Sequence, residues 1–252
     1  KGAAQKAADI CGKFCLDEVR RQLNPLHAEA TKALAGHNID TAFELYQKAG
    51  ALHFSNKNCE GALVEEFVTG FSRDGAQDNI VLAYSNKAVV RLNEEIRRKM
   101  QMKGVLSTDE HLCELGGKKL FLAIGDNVVF GKNSRELGVA NGEVGKVVSI
   151  VKENKHDYYK IVIESAGRKI KIDTEQYNAL SHGYALTCFK AQGKTFDNVY
   201  VLWEPYVGFE AFNVMMTRHR NDVRLFVSQD TLIRQTKYPI SELKQIQNKV
   251  GE

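Results

Sequence analysis

The sequence predicts an α/β protein: a parallel sheet flanked by helices, with a small β-barrel inserted into it. Three observations carry this. Up to about Gly104, strand-like and helix-like segments alternate, the order of a parallel sheet covered by helices. From there to about Leu180 the texture changes to short strands broken by turn dipeptides, as in a small barrel. Beyond Leu180 the alternation of strands and helices resumes. The expected partition is 1–103 with 181–252 as one discontinuous unit and 104–180 as the insertion.

The elements follow in order. Residues 3–14 read as helix and 14–19 (FCLDEV) as a short buried strand ending at Arg20-Arg21-Gln22. Pro25 suits the first turn of a helix that stops at Gly36. A second helix, 39–50, has Asp40 as its expected cap and Gly50 as its stop. ALHFS (51–55) is a strand, and 56–75 a helix with Leu63, Phe67 and Phe71 on one face. NIVLAYSN (79–86) opens as a continuous apolar run, hence a buried strand. The amphipathic helix 87–104 turns Val89, Leu92 and Ile96 inward. In the insertion, 118–130, 141–151, 157–165 and 167–175 are strand-like, with Asn141-Gly142 and Ala166-Gly167 as turns. After it come strand-like 183–189, strand 198–204, helix 208–220, strand 222–228 and helix 240–250.

The bulk numbers restrict function only loosely. The 252 residues carry a net charge of +4, which permits a polyanionic partner without demanding one. The five cysteines have no disulfide-scaffold or zinc-ribbon spacing; Cys11 and Cys15 are four apart with no second Cys/His pair nearby, so no metal site is expected. Free thiols point to a reducing, cytoplasmic setting. No apolar run approaches the roughly 20 residues that span a bilayer, and no signal peptide is evident, so no membrane partner is expected. The first residue is Lys1 and not Met, so a longer parent protein is expected.

One triplet suggests nucleotide chemistry. Gly193-Lys194-Thr195 resembles the end of a phosphate-binding loop, Gly-x-x-x-x-Gly-Lys-Ser/Thr. That loop needs a glycine at 188 and a helix directly after the lysine, whose N–H groups face the phosphates. Position 188 is Cys188, and FDNVYVLWE runs into a strand. No other Gly-Lys in the chain precedes Ser or Thr, so a self-sufficient P-loop is excluded. The stretch is a strand ending at Thr187 followed by a polar turn of Lys190, Gln192, Gly193 and Lys194. It can serve a phosphate, a nucleotide or nucleic acid, or be a plain surface turn.

Five segments in order carry a family resemblance. YALTCFKAQGKTFDNVYV (184–201) resembles motif V of the RecD-like branch of superfamily 1 DNA helicases, and NVMMTRHR (213–220) resembles motif VI, with Thr217-Arg218 at its core. LDEVRRQ (16–22) is similar to motif IV. IVLAYSNKAVVRLNEEIR (80–97) is similar to the strand–Ser/Thr-Asn–helix segment that follows it. GDNVVF (125–130) and NGEVGKVVSI (141–150) resemble the SH3-like barrel inserted in that branch. Within it, MTRHR (216–220), SHGYALT (181–187) and VANGEVG (139–145) resemble the helicase region of Ti-type, TraA-like conjugative relaxases.

The resemblance implies a second RecA-like domain, a parallel sheet flanked by helices with an inserted SH3-like β-barrel. In such proteins a relaxase domain nicks plasmid DNA, and the helicase moves 5′ to 3′ on single strands using ATP and Mg2+, which bind mainly to a first RecA-like half. By the same resemblance Arg21 and Arg218 are the catalytic arginines that reach the γ-phosphate, a role suited to a planar, permanently charged donor. Gln192 and Gly193 lie near the nucleotide; Ser85, Asn86, Thr187 and Lys190 contact DNA; Lys132, Arg135 and Asn141 are candidates on the barrel. The implied partners are single-stranded DNA and the N-terminal RecA-like and relaxase domains. Two departures stand out: Phe189 occupies the position where the family usually has His, and the first RecA-like half, with the P-loop, is not in the sequence. The chain by itself is therefore expected not to hydrolyse ATP. The alternative is a degenerate, non-catalytic DNA-binding or protein-interaction module, which the coding sequence upstream of Lys1 distinguishes.

Overall fold

A computed structural model describes residues 21–55, 59–74, 79–153, 158–205 and 207–228. The helices expected at 3–14 and 240–250 and the strand at 14–19 lie outside the described residues.

Helix α1 (Pro25–Ala35) starts where the Asn24 side chain accepts the Leu26 N–H, and Gly36 closes it. Helix α2 (Ile39–Lys48) is capped not by Asp40 but by Asn38, whose side chain accepts the Thr41 N–H at 3.3 Å. Asp40 sits in the first turn, one step too far along to reach back. Then come β1 (Leu52–Ser55), α3 (Cys59–Asp74), β2 (Asn79–Ala83) and α4 (Asn86–Met102). The Leu63–Phe67–Phe71 face of α3 and Leu92, Ile96 and Met100 of α4 are buried, while Val89 packs only partly.

After α4 the chain forms a hairpin that the strand pattern did not reveal. Strands β3 (Glu110–Leu115) and β4 (Lys118–Ala123) pair around Gly116-Gly117, both at positive φ, the conformation of a two-residue hairpin turn. The expected strand 118–130 is split into β4 and β5 (Asn127–Phe130). Gly125 at φ 96° turns the chain, and the Asp126 carboxylate accepts the Ala123 N–H at 2.7 Å. Strands β6 (Val144–Lys152), β7 (Tyr159–Ser165), β8 (Arg168–Asp173) and β9 (Leu180–His182) complete a five-stranded antiparallel sheet ordered β8-β7-β6-β5-β9. The last strand of this sheet, β9, ends at His182.

The chain then returns through β10 (Ala185–Thr187), a single helical turn α5 (Cys188–Ala191), β11 (Phe196–Leu202), α6 (Phe209–Met216) and β12 (His219–Ser228). Strand-like 183–189 thus yields only three strand residues, because the Thr187 hydroxyl caps a helical turn. The helix expected to reach residue 220 ends at Met216, where the Thr217 hydroxyl donates to the Asn213 carbonyl.

All five strands of the main sheet, ordered β1-β12-β11-β2-β10, run parallel. Alternate residues feed opposite faces. Ile80, Leu82, Val199, Val201 and Leu225 pack in one core with α1, α2 and α6. Val81, Ala83, Tyr200, Leu202 and Phe226 pack in another with α3 and α4. A third core fills the antiparallel sheet and its hairpin. The two sheets are rooted together by a buried polar knot. Arg97 on α4 donates to both carboxylate oxygens of Asp126 at 3.1 Å and to Glu110 at 2.8 Å, and the Tyr184 hydroxyl donates to Asp126 at 2.7 Å. No helix among the described residues is long and apolar enough to cross a bilayer.

Candidate functional site

Three distant segments converge at the N-terminal edge of the main sheet. The loop between α6 and β12 presents Thr217 and Arg218. Arg21 donates from Nη1 to the Thr217 carbonyl at 2.6 Å and from Nε to the Thr195 hydroxyl at 3.0 Å. Gln22 donates to the Thr217 and His219 carbonyls, and the Leu23 N–H to the Arg220 carbonyl, so the Arg-Gln segment lies flat against this loop. Arg218 donates from Nη2 to the Thr217 hydroxyl at 3.0 Å and from Nε to the Val214 carbonyl at 3.1 Å. Its own carbonyl accepts the Phe196 N–H. The structure thus brings together the two sequence-predicted arginines, with Thr195 of the Gly-Lys-Thr triplet as the unforeseen third member.

The electrostatics of this cluster are unbalanced. Among the described residues no carboxylate forms an ion pair with Arg21 or Arg218. Burial, with the positive charge of Arg21 nearby, lowers the pKa of Arg218. Two adjacent guanidinium groups with no counter-charge among the described residues fit a polyanion such as a nucleotide phosphate chain. Behind them the buried rings of His219 and His27 meet edge to face at 4.9 Å. Burial and the neighbouring His27 push His219 down to about 3.

The opposite, C-terminal edge carries the predicted nucleic-acid residues. Ser85 caps α4, accepting the Ala88 N–H at 3.1 Å, and donates its hydroxyl to Glu204 at 2.5 Å. Glu204 also accepts the backbone N–H groups of Tyr84 and Ser85 at 2.6 and 2.8 Å. The acid at the end of β11 is therefore committed to this loop. Among the described residues no group of three or more His, Cys, Asp or Glu could hold a metal ion. Thr187 is buried and accepts the Lys190 N–H at 3.3 Å, so its hydroxyl oxygen serves the α5 cap. Asn86 and Lys190 are exposed. Beside them lies an aromatic pair, Tyr84 and Phe189, with ring centroids 5.8 Å apart and Phe189 65% exposed. Sequence reading noted Phe189 but not Tyr84; its place between an apolar strand and a Ser-Asn helix start was the available signal.

Because β10 and β11 are parallel, the segment 188–195 must travel from the C-terminal edge of the sheet back to the N-terminal edge. Gln192 and Gly193 are exposed on this crossover, Gly193 at φ 81°. Neither touches the arginine cluster directly; Thr195, two residues on, does. On the antiparallel sheet, Lys132, Arg135 and Asn141 are exposed in the loop joining β5 to β6. Its Asn141-Gly142 turn meets the crossover through Lys194, whose ammonium donates to the Gly142 carbonyl.

Over 232 residues, 89% of its length, the chain is 32% identical to a probable conjugal transfer protein TraA of Sinorhizobium fredii. It is 30% identical over 233 residues to the conjugal transfer protein TraA of Rhizobium radiobacter. Its homologues are TraA conjugal transfer proteins. The chain spans 20% of the length of these TraA relatives. No protein-family model matches it. Among solved structures it is similar to Bacteroides Pif1 bound to ssDNA, at TM-score 0.56 and 13% identity, covering 93% of this chain and 56% of that one. Pif1 helicase from Candida albicans is similar at TM-score 0.55 and 15% identity, covering 90% and 59%. The parallel sheet flanked by helices is thus similar in fold to the RecA-like domains of these solved structures.

Proposed function

We propose that this chain is the arginine-bearing second RecA-like half of an ATP-driven DNA helicase that acts in conjugal transfer. In this reading 1–103 and 181–252 form the RecA-like unit, and 104–180 is an inserted SH3-like barrel. The observation that carries the reading is the convergence of Arg21 and Arg218, 197 residues apart in sequence, on Thr217 without a carboxylate counter-charge among the described residues. The conjugal-transfer names of the relatives support the biological setting, and their greater length leaves room for further domains.

ATP with Mg2+, held mainly by a separate first RecA-like half, supplies the transferable phosphoryl group. Against it, Arg21 and Arg218 present guanidinium N–H donors that balance charge developing on the phosphoryl oxygens. The anchors on Thr217, Thr195 and Val214 hold the side chains in place beforehand, so little reorganisation is required during reaction. Gln192 and Gly193 line the crossover that leads from this cluster to the other edge. There, Tyr84 and Phe189 offer faces for base stacking, and Lys190 and Asn86 offer donors for phosphates. Ser85 and Thr187 act through the caps they form. The partners are single-stranded DNA and the N-terminal RecA-like and relaxase domains, in the cytoplasm. With no Gly-x-x-x-x-Gly-Lys-Ser/Thr in its sequence, the isolated chain does not hydrolyse ATP.

Purified 1–252 is expected to show no DNA-stimulated ATP hydrolysis and weak, salt-sensitive binding to single-stranded DNA. ATPase activity in the isolated chain would sink the division of labour. Absence of binding at low salt in fluorescence anisotropy would remove the DNA assignment.

A further inference from the structure

The Gly-Lys-Thr triplet fails as a phosphate cradle, yet each of its two side chains is committed to a different body of the molecule. Thr195 accepts from Arg21 in the arginine cluster. Lys194, half-buried, extends its ammonium to the carbonyl of Gly142 in the antiparallel sheet. Gly142 is itself buried, at φ 82°, and its N–H is taken by the Phe130 carbonyl, so the accepting carbonyl sits in a fixed turn. The crossover packs closely on this turn: a Cβ at Gly142 would lie 2.6 Å from the movable Lys194 ammonium and 3.3 Å from the Lys190 carbonyl. Below this contact, Val129 and Val144 of the antiparallel sheet share a core with Cys188 and Ala191 of α5. A separate attachment of the two sheets, the Arg97–Asp126–Tyr184 knot, roots them through α4 and involves residues of neither the crossover nor the arginine cluster.

We infer that Lys194 is a positioning residue, which locks the crossover 188–195 to the Asn141-Gly142 turn so that movement of the arginine cluster is transmitted to the antiparallel sheet. The inference rests on the helicase reading above, and it specifies which contact couples nucleotide state to the inserted sheet. Gly193 bends the crossover immediately before Lys194, and Thr195 follows immediately after. A displacement of Arg21 on nucleotide binding or release therefore reaches Lys194 through one peptide unit. Burial lowers the lysine pKa, opposed by the Glu143 carboxylate, and Lys190 adds to the lowering.

The test uses the full-length protein with Lys194→Met, Lys194→Arg and Gly142→Ala. Methionine keeps the stem and removes the donor, arginine restores a donor, and alanine, at positive φ, strains the accepting turn itself. Two readouts are taken: amide exchange at Gly142 and Glu143, and base pairs unwound per ATP hydrolysed. Lys194→Met and Gly142→Ala are expected to speed exchange about tenfold or more, the loss of one charged hydrogen bond, and to lower base pairs per ATP while ATP turnover persists. Lys194→Arg recovers both. Unchanged exchange with unchanged base pairs per ATP overturns the proposal. So does a loss in which ATP turnover and unwinding fall in step, since that describes a merely structural lysine. A wild-type protein without DNA-stimulated ATPase refutes the helicase reading instead, and the exchange readout then judges the Lys194 contact alone.

Discussion

Replacing Arg218 by alanine in the full-length protein separates a catalytic arginine from a structural one. The structural cost is bounded by two hydrogen bonds, to the Val214 carbonyl and the Thr217 hydroxyl, at 3.1 and 3.0 Å. Bonds from a charged donor contribute about 1.5–3 kcal/mol each, and relief of the Arg21 repulsion offsets part of that. The catalytic cost falls on the reaction barrier and is read separately from stability. An arginine that balances charge on a transferring phosphoryl group contributes roughly 10³- to 10⁵-fold in kcat, or about 4–7 kcal/mol. Arg218→Ala is therefore expected to leave a folded protein with single-turnover ATP hydrolysis reduced by about three orders of magnitude or more. Arg218→Lys recovers little, because one ammonium cannot serve the Thr217 anchor and a phosphate oxygen in the same planar geometry. The assay is quenched-flow hydrolysis with DNA present, alongside circular dichroism to verify folding. A folded Arg218→Ala protein that hydrolyses ATP within about tenfold of wild type, under about 1.4 kcal/mol in barrier, refutes the assignment.

Three further outcomes follow from the same geometry. Phe189→Ala should weaken single-stranded DNA binding by about 1–3 kcal/mol, the contribution of one stacked base, with an unchanged salt slope; equal affinity in anisotropy titrations at two salt concentrations rules out stacking there. Asp126→Ala should destabilise the fold by about 3–5 kcal/mol, because it leaves the Arg97 charge buried without its main partner; a chemical denaturation midpoint near wild type contradicts the knot. His219, buried and pushed down to about 3, opposes acid stability. Below its unfolded value near 6.5 the unfolded chain binds a proton that the folded chain refuses until about pH 3, so stability falls with pH across that window by about 1.4 kcal/mol per unit. His219→Leu should flatten the decline, and an identical acid slope in denaturation series counts against the buried neutral imidazole.

Much of the fold was legible because its signals are local. The apolar run 80–83, the Leu63–Phe67–Phe71 stripe and the Pro25–Gly36 bracket state strand, helix and helix ends within a few residues. Other features were not. The break between β4 and β5 falls at Gly125-Asp126, a local turn signal passed over between two apolar runs, and the burial of Asp126 is explained only by Arg97, on a helix some thirty positions earlier. Strand β3 escaped because Leu112 faces solvent and Cys113 the core, so exposed and buried positions are both apolar. Asn38 displaced Asp40 as a cap because only its side chain stands one turn ahead of the Thr41 amide.

By itself the sequence determined most of the main-sheet elements and the failure of Gly193-Lys194-Thr195 as a P-loop, which depend on spacing along the chain, while the arginines worth testing came from the resemblance of their motifs. The tertiary structure decided which polar groups remain available and which are committed. Ser85 is held by Glu204, Thr187 by its own helical turn, Lys194 by Gly142, and Arg21 by Thr195 and Thr217. Except for the Thr187 cap, those commitments join segments 50 to 200 residues apart, and they exist only because strand order and register place the segments within hydrogen-bond reach.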